Sequence, residues 1–171
     1  TEVLPLLNEI EARVEAETLT AVGYVTYEAA SGLDASLPTH TPSDDALPLI
    51  SFALFREAHA VKAPTPAQAQ VHQLWRFSES AEDYQLAIHR IRERIKAGDV
   101  YQINHTTRLN GVLNDPWQLF TEVAAGAPFG AYLQGDSHTI VSASPECFFS
   151  LYGNTLYSQP TKGTPARQAA H

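Results

Sequence analysis

The feature that most constrains the fold is a series of short apolar runs, separated by turn residues, between Phe129 and Gln159. Turns are predicted at Gly135-Asp136 and Gly153-Asn154, because these residue types tolerate the backbone angles of tight hairpins. Sequential strands joined by such turns pair antiparallel. The pattern therefore predicts a meander of four strands, with the sequences FGAYLQ, HTIVSAS, CFFSLY and TLYSQ.

Three helices are predicted beside these strands. Apolar residues at helical spacing indicate an amphipathic helix over residues 3–17. A second helix is predicted over 80–98, with Ser80 as its N-cap and Gly98 as its C-terminal stop. Asp115 followed by Pro116 begins a third helix, which Gly126 can end. The residues expected to be buried on the second helix are Tyr84, Ile88, Ile91 and Ile95.

Three more strands are predicted, over residues 19–28, 48–55 and 100–109. Polar and apolar residues alternate in the last, so that Gln102 and Asn104 share its polar face. Antiparallel strands in sequence, accompanied by a few helices, indicate the α+β class.

Composition and charge exclude several kinds of function. The formal net charge is −8, which argues against a nucleic-acid-binding surface. No apolar run approaches the roughly 20 residues of a membrane span. The single cysteine, Cys147, cannot form an internal disulfide, and we expect a cytoplasmic protein. The histidines show no metal-ligand spacing. The chain contains no Met, and we expect it to be a piece of a longer polypeptide.

Four motifs occur in a consistent order: Gly23–Ala29, Gly98–Asn104, Ser144–Glu146 and Pro160–Thr164. As an ordered set they resemble the chorismate-binding enzymes, a family that includes anthranilate, aminodeoxychorismate, isochorismate and salicylate synthases. The resemblance covers the whole chain. It implies the antiparallel sheets and packed helices of the anthranilate synthase component I-like fold. It also implies that residues 1–171 are the amino-terminal portion of a synthase whose carboxy-terminal half is absent.

Two positions discriminate within this family. Lys162 is typical of aminodeoxychorismate synthases, whereas anthranilate synthases usually have Ala there. Isochorismate and salicylate synthases usually carry a Lys where this chain has Gln102. The resemblance thus implies amination of chorismate at C4, with ammonia from a glutamine amidotransferase, for 4-aminobenzoate and folate synthesis. Two residues depart from the pattern: Thr161 replaces an Ile, and His105 stands where an apolar residue is common.

The resemblance also assigns roles to residues. Glu146 is expected to be the general acid that protonates the departing C4 hydroxyl, kept neutral by partial burial. Lys162 is expected to attack C2 of the ring, and Gln102 and Thr164 to line the substrate pocket. Without the resemblance, Glu146 is more simply an exposed glutamate at a strand end, and Lys162 a surface lysine in a turn.

The full-length enzyme is expected to require Mg²⁺, with its ligands outside this chain, and the isolated chain is expected to be inactive. Two alternatives stay open. The first is anthranilate synthase component I. The second is a non-catalytic module that binds tryptophan as an effector, with Tyr27 and Glu28 lining its pocket.

Overall fold

The computed structural model describes residues 2–43, 46–62, 64–67 and 75–159. The chain divides into two compact units, Thr1–Ala63 and Pro64–His171. All strands in the described residues pair antiparallel beside α-helices, which confirms the α+β class. The helices are α1 (Val3–Glu17), α2 (Ala30–Leu33), α3 (Ala81–Ala97) and α4 (Pro116–Val123). The strands are β1 (Thr20–Val25), β2 (Ile50–Phe55), β3 (Arg76–Phe77), β4 (Leu109–Asn110), β5 (Phe129–Gln134), β6 (Thr139–Ser144), β7 (Cys147–Tyr152) and β8 (Thr155–Gln159).

The first unit is built from α1 and the β1–β2 pair, much as predicted. The register runs from Thr20 opposite Phe55 to Val25 opposite Ile50. Gly23 permits this pairing, because a Cβ there would overlap the Ser51 carbonyl oxygen. The predicted strand over 19–28 ends early, at Val25, since the chain turns into a 3₁₀ helix at Tyr27–Ala29.

Helix α3 begins and ends where the capping residues predict. The Ser80 hydroxyl accepts a hydrogen bond from the Asp83 N–H at 3.0 Å and donates to the Asp83 carboxylate at 2.7 Å. Gly98 ends the helix in the left-handed region, with φ 81°. The expected burial of its apolar stripe is found only in part: Ile88 and Ile91 are half-buried, whereas Tyr84 and Ile95 are exposed, and no residue of α3 is fully buried.

The predicted strand over 100–109 is also mostly wrong. Only β4 is a strand, and it pairs with β3, Phe77 lying opposite Leu109. Residues 102–108 are irregular. Alternation alone does not make a strand, because each ladder needs a partner. In the described chain the available partner ends at Ser78, whose N–H donates to the Arg108 carbonyl oxygen at 2.8 Å.

Helix α4 packs on the β5–β6 pair and forms the core of the second unit. The Asp115 carboxylate accepts from the N–H groups of residues 117 and 118, and Pro116 occupies the first turn, as predicted. The helix ends at Val123, before the predicted stop. The rings of Trp117, Phe120 and Tyr132 meet with centroids 5.1 to 5.7 Å apart.

The predicted meander forms two separate hairpins. Both predicted turns are present, and the Gly135 N–H donates to the His138 carbonyl oxygen at 2.9 Å. Strands β5 and β6 pair with each other, as do β7 and β8, but β6 does not pair with β7. The proline at position 145 bends the chain between them, because proline lacks the N–H of a continuing ladder.

Candidate functional site

The Ser144-Pro145-Glu146 motif forms a tight corner between β6 and β7. The Ser144 hydroxyl donates to the Glu146 carbonyl oxygen at 2.8 Å and accepts from the Glu146 N–H at 3.2 Å. One side chain therefore satisfies both backbone polar groups of Glu146, as serine commonly does in turns. The carboxylate of Glu146 is left as the group that this corner presents. The sequence signal was the serine before the proline, to which no role had been assigned.

The expected partial burial of Glu146 is not found in the described structure, where the residue is exposed. Its apolar neighbours in the sequence do not cover it, because Ala143 is exposed and the Phe148 side chain is 84% exposed. The position matches the simpler expectation of a glutamate at a strand end. Its chemical role stays a prediction.

An irregularity in β7 follows directly after this corner. Cys147 pairs with Gln159, but the register has shifted by one residue where Ser150 pairs with Tyr157. The extra residue lies at Phe148 and Phe149, whose ring centroids are 5.2 Å apart. Successive side chains of a regular strand point to opposite faces, so this contact marks a β-bulge. Bulges often re-aim side chains beside active sites.

Gln102 lies in the irregular segment that precedes β4. It is exposed, and its amide Nε2 donates to the Asn104 side-chain oxygen at 3.1 Å. The two residues thus share a side and interact, as the alternating pattern predicts, although they are not in a ladder. No hydrogen bond joins Gln102 to Glu146 within the described part of the chain. Lys162 and Thr164 lie outside the described residues.

Sequence reasoning missed the partner of His105. Its Nε2 lies 3.2 Å from both carboxylate oxygens of Glu79, 26 residues earlier. Its ring also contacts that of Tyr84, with centroids 5.6 Å apart. These groups adjoin an open groove of about 520 Å³ that Phe77 and Thr107 help to line. The signal was the position itself, since His105 is a departure from the family pattern.

The described residues do not fit a Mg²⁺ site. Within 2–43, 46–62, 64–67 and 75–159, no three His, Cys, Asp or Glu side chains lie close enough together to hold a metal ion. We assign no step to a metal. Among the helices described, none combines the length and apolar character that crossing a membrane requires.

The proposed effector residues of the first unit, Tyr27 and Glu28, lie in the 3₁₀ helix that follows β1. Tyr27 is 86% exposed. The Glu28 carbonyl oxygen accepts a hydrogen bond from the Thr39 hydroxyl at 3.1 Å, which ties down the loop that follows α2. Their role in binding an effector stays a prediction.

Comparison with known proteins places these motifs in context. The model of the chorismate binding enzyme family matches residues 58–171. Aminodeoxychorismate synthase component 1 of Klebsiella aerogenes is 34% identical over 113 residues, which cover 64% of this chain and 25% of the relative. The Escherichia coli K12 protein of the same name is 32% identical over 96 residues, covering 54% of this chain and 21% of the relative.

A plant relative carries a different name. The chloroplastic anthranilate synthase alpha subunit 1 of Oryza sativa subsp. indica is 29% identical over 126 residues, covering 67% of this chain and 22% of the relative. The chain thus spans about a quarter or less of the length of these relatives. No solved structure matches it significantly. Because the family model covers well over half of the sequence, the chain belongs to the family of chorismate binding enzymes.

Proposed function

We propose that the full-length protein aminates chorismate at C4 to give 4-amino-4-deoxychorismate, with ammonia from a glutamine amidotransferase. The observation that carries this proposal is Lys162 in the sequence Pro-Thr-Lys-Gly-Thr. A lysine at this position of the motif resembles the aminodeoxychorismate synthases. The bacterial relatives described above bear that name. A product of this kind leads to 4-aminobenzoate and folate.

The chemistry assigns the lysine a covalent role. The neutral Nζ of Lys162 attacks C2, the two conjugated ring double bonds shift towards C4, and the C4–O bond breaks. Ammonia then adds at C4, the two double bonds shift back, and the bond between C2 and the lysine nitrogen breaks. A covalent intermediate of this kind divides one difficult displacement into two easier ones. The net change is exchange of hydroxyl for amine, with loss of water.

Glu146 is the proposed source of the proton that converts the departing hydroxyl to water. Its backbone is held by Ser144 on both sides, so its side chain alone projects from the corner between β6 and β7. Substrate bound over this exposed corner would displace water from the carboxyl group and favour its neutral form. After the reaction, a proton released from the incoming ammonia restores the acid.

The test is Lys162→Ala in the full-length protein. We expect loss of the chorismate adduct in intact-protein mass spectrometry and a fall in amination of at least about tenfold. Lys96→Ala is the matched control, since Lys96 is a surface lysine that pairs with Glu93 at 2.8 Å, and it should leave both readouts unchanged. Amination at the parent rate in Lys162→Ala would refute the covalent role.

Anthranilate synthesis is the second candidate, because the rice relative, which is named for that reaction, aligns over 67% of this chain. The products distinguish the two reactions. 2-Aminobenzoate is fluorescent and forms with release of pyruvate, whereas 4-amino-4-deoxychorismate requires a separate lyase to give 4-aminobenzoate. We expect 4-aminobenzoate to form, and only after the lyase is added. Direct fluorescence of 2-aminobenzoate would decide for anthranilate synthase.

A further inference from the structure

The segment that carries Gln102, residues 101–108, is joined to the rest of its unit by a series of contacts between residues 76–79 and residues 105–110. Arg76 and Phe77 pair with β4. Ser78 continues the series in both directions: its N–H donates to the Arg108 carbonyl oxygen at 2.8 Å, and its hydroxyl accepts from the Arg108 N–H at 3.1 Å. Beyond that point, regular pairing would place Glu79 opposite Thr107.

Regular pairing between the two segments ends before Thr107, and the next contact between them is made by the side chain of His105. The Thr107 hydroxyl oxygen is buried without a hydrogen-bond partner, so the Thr107 side chain does not hold the segment by a hydrogen bond. Glu79 instead contacts His105, two residues further along. Among the side-chain hydrogen bonds described, the one at His105 is therefore the last that joins this segment to residues 76–79 before Gln102 is reached. Gln102 and Asn104 form their described side-chain hydrogen bond with each other.

The His105–Glu79 contact is better shielded than an ordinary surface ion pair. The two side chains are 26% and 21% exposed, and the imidazole also packs on Tyr84 of α3. By contrast, the side chains of Lys96 and Glu93 on the same helix are 73% and 53% exposed. Exposed pairs contribute little, because water and salt screen them, whereas shielded pairs are screened less.

We propose that His105 and Glu79 are a positioning pair, which fixes the segment over residues 101–108 against the start of α3 and so sets where Gln102 meets substrate. The second part rests on the proposed function. The contact joins the imidazole Nε2 of His105 to both carboxylate oxygens of Glu79. The titratable groups that face His105 are Glu79 from the segment before α3 and Tyr84 from α3 itself.

Amide hydrogen exchange of the 171-residue chain tests the pair directly. Glu79→Gln removes the charge while keeping the shape, and His105→Phe keeps a ring against Tyr84 while removing the hydrogen bond. We expect each variant to speed exchange over residues 101–108 by about three- to tenfold at pH 6, with β5 and β6 unaffected. The double variant should exchange no faster than the faster single variant, since both remove one interaction. Glu93→Gln is the control and should change nothing.

Unchanged exchange in both single variants, or an equal change across β5 and β6, would overturn the pair.

Kinetics of the full-length protein test the consequence for substrate. Glu79→Gln should raise KM for chorismate about threefold, with kcat within about twofold of the parent. Faster exchange with an unchanged KM would overturn the positioning of Gln102. If the parent does not consume chorismate at all, the proposed function fails, while the exchange experiment still decides whether the pair holds the segment.

Discussion

Glu146 is the residue on which the proposed chemistry depends most among those described. Replacing it by Gln keeps its size and its place in the corner, but Gln cannot supply a proton. In the full-length protein, Glu146→Gln should lower the amination rate by roughly 10²–10⁴-fold, the range for a positioned acid. Chorismate affinity, measured by calorimetry, should change far less. Near-parent turnover across the pH range would mean that the departing hydroxyl takes its proton elsewhere.

Ser144 holds that acid in place through two hydrogen bonds to the Glu146 backbone. Ser144→Ala removes both while leaving the carboxyl group intact. We expect a fall in kcat of about three- to tenfold, smaller than for the loss of the acid itself, since only its position is loosened. Ser142→Ala, on the same strand, is the control. Equal effects of the two alanine variants would argue against a specific role for the Ser144 hydroxyl.

Asp34, in the first unit, illustrates a local electrostatic effect of a turn. The backbone N–H of Ser36 donates to its carboxylate at 2.8 Å and holds the pKa of Asp34 below its usual value, with a smaller contribution from the Ser36 side chain. Because the folded-state pKa is lowered, the stabilisation is present above the unfolded-state pKa and is lost as pH falls through the folded-state pKa. In NMR titrations, Ser36→Ala should retain most of the shift, since it keeps the N–H. A return to the ordinary titration midpoint would show that the hydroxyl is responsible.

At the scale of elements, α3 is the part of the chain whose ends are set most locally. Ser80→Ala should lower the free energy of unfolding by about 1 kcal/mol, because the Asp83 N–H loses its acceptor. Gly98→Ala should cost about as much, since Gly98 has φ +81° and space around its Cα, so only backbone strain opposes a side chain. Gly98→Asn is the matched comparison and should cost less, because Asn tolerates this conformation. Urea denaturation followed by circular dichroism measures all three.

The same helix shows what the sequence does and does not determine. Its caps were predictable because a cap depends on residues within one turn of each other, as at Ser80 and Asp83. Burial of its stripe was not, since burial needs another element to lie over Tyr84 and Ile95. The strand expected over residues 100–109 failed for a similar reason: alternation describes one chain, whereas a ladder requires two.

The site divides along the same line. The strand pattern of the sequence sufficed to place Glu146 at a strand end, and polar–apolar alternation sufficed to place Gln102 beside Asn104. The bulge at Phe148 and the contact of His105 with Glu79 depend on residues distant in the sequence, so no local sequence pattern could predict them.

At the scale of the whole molecule, the β7–β8 hairpin is the surface most suited to association. From Cys147 to Gln159 it carries no charged residue, in a chain of net charge −8. Several of its large side chains are exposed, and uncharged strand edges readily pair with other chains. We expect the 171-residue chain to self-associate through this hairpin.

Sedimentation equilibrium tests this expectation. Phe148→Lys should raise the concentration for half-association at least about tenfold, since burying a Phe is worth about 1.5–3 kcal/mol and 1.4 kcal/mol is a factor of ten. Val61→Lys is a matched control, because Val61 is 85% exposed, like Phe148, and the charge change is identical. Equal effects would show that general repulsion, and not the hairpin, governs association.

The bulge in β7 also reverses which residues of the strand share a face. Cys147 and Ser150 are three residues apart, yet both are half-buried and their Sγ and Oγ atoms lie 3.5 Å apart. Odd-numbered residues before the bulge therefore correspond to even-numbered residues after it. Deleting one residue here would restore uniform alternation in β7 but turn the residues upstream of it, Glu146 included, toward the opposite side. A single-residue insertion or deletion at this point therefore exchanges the side of the hairpin on which the Glu146 carboxylate stands.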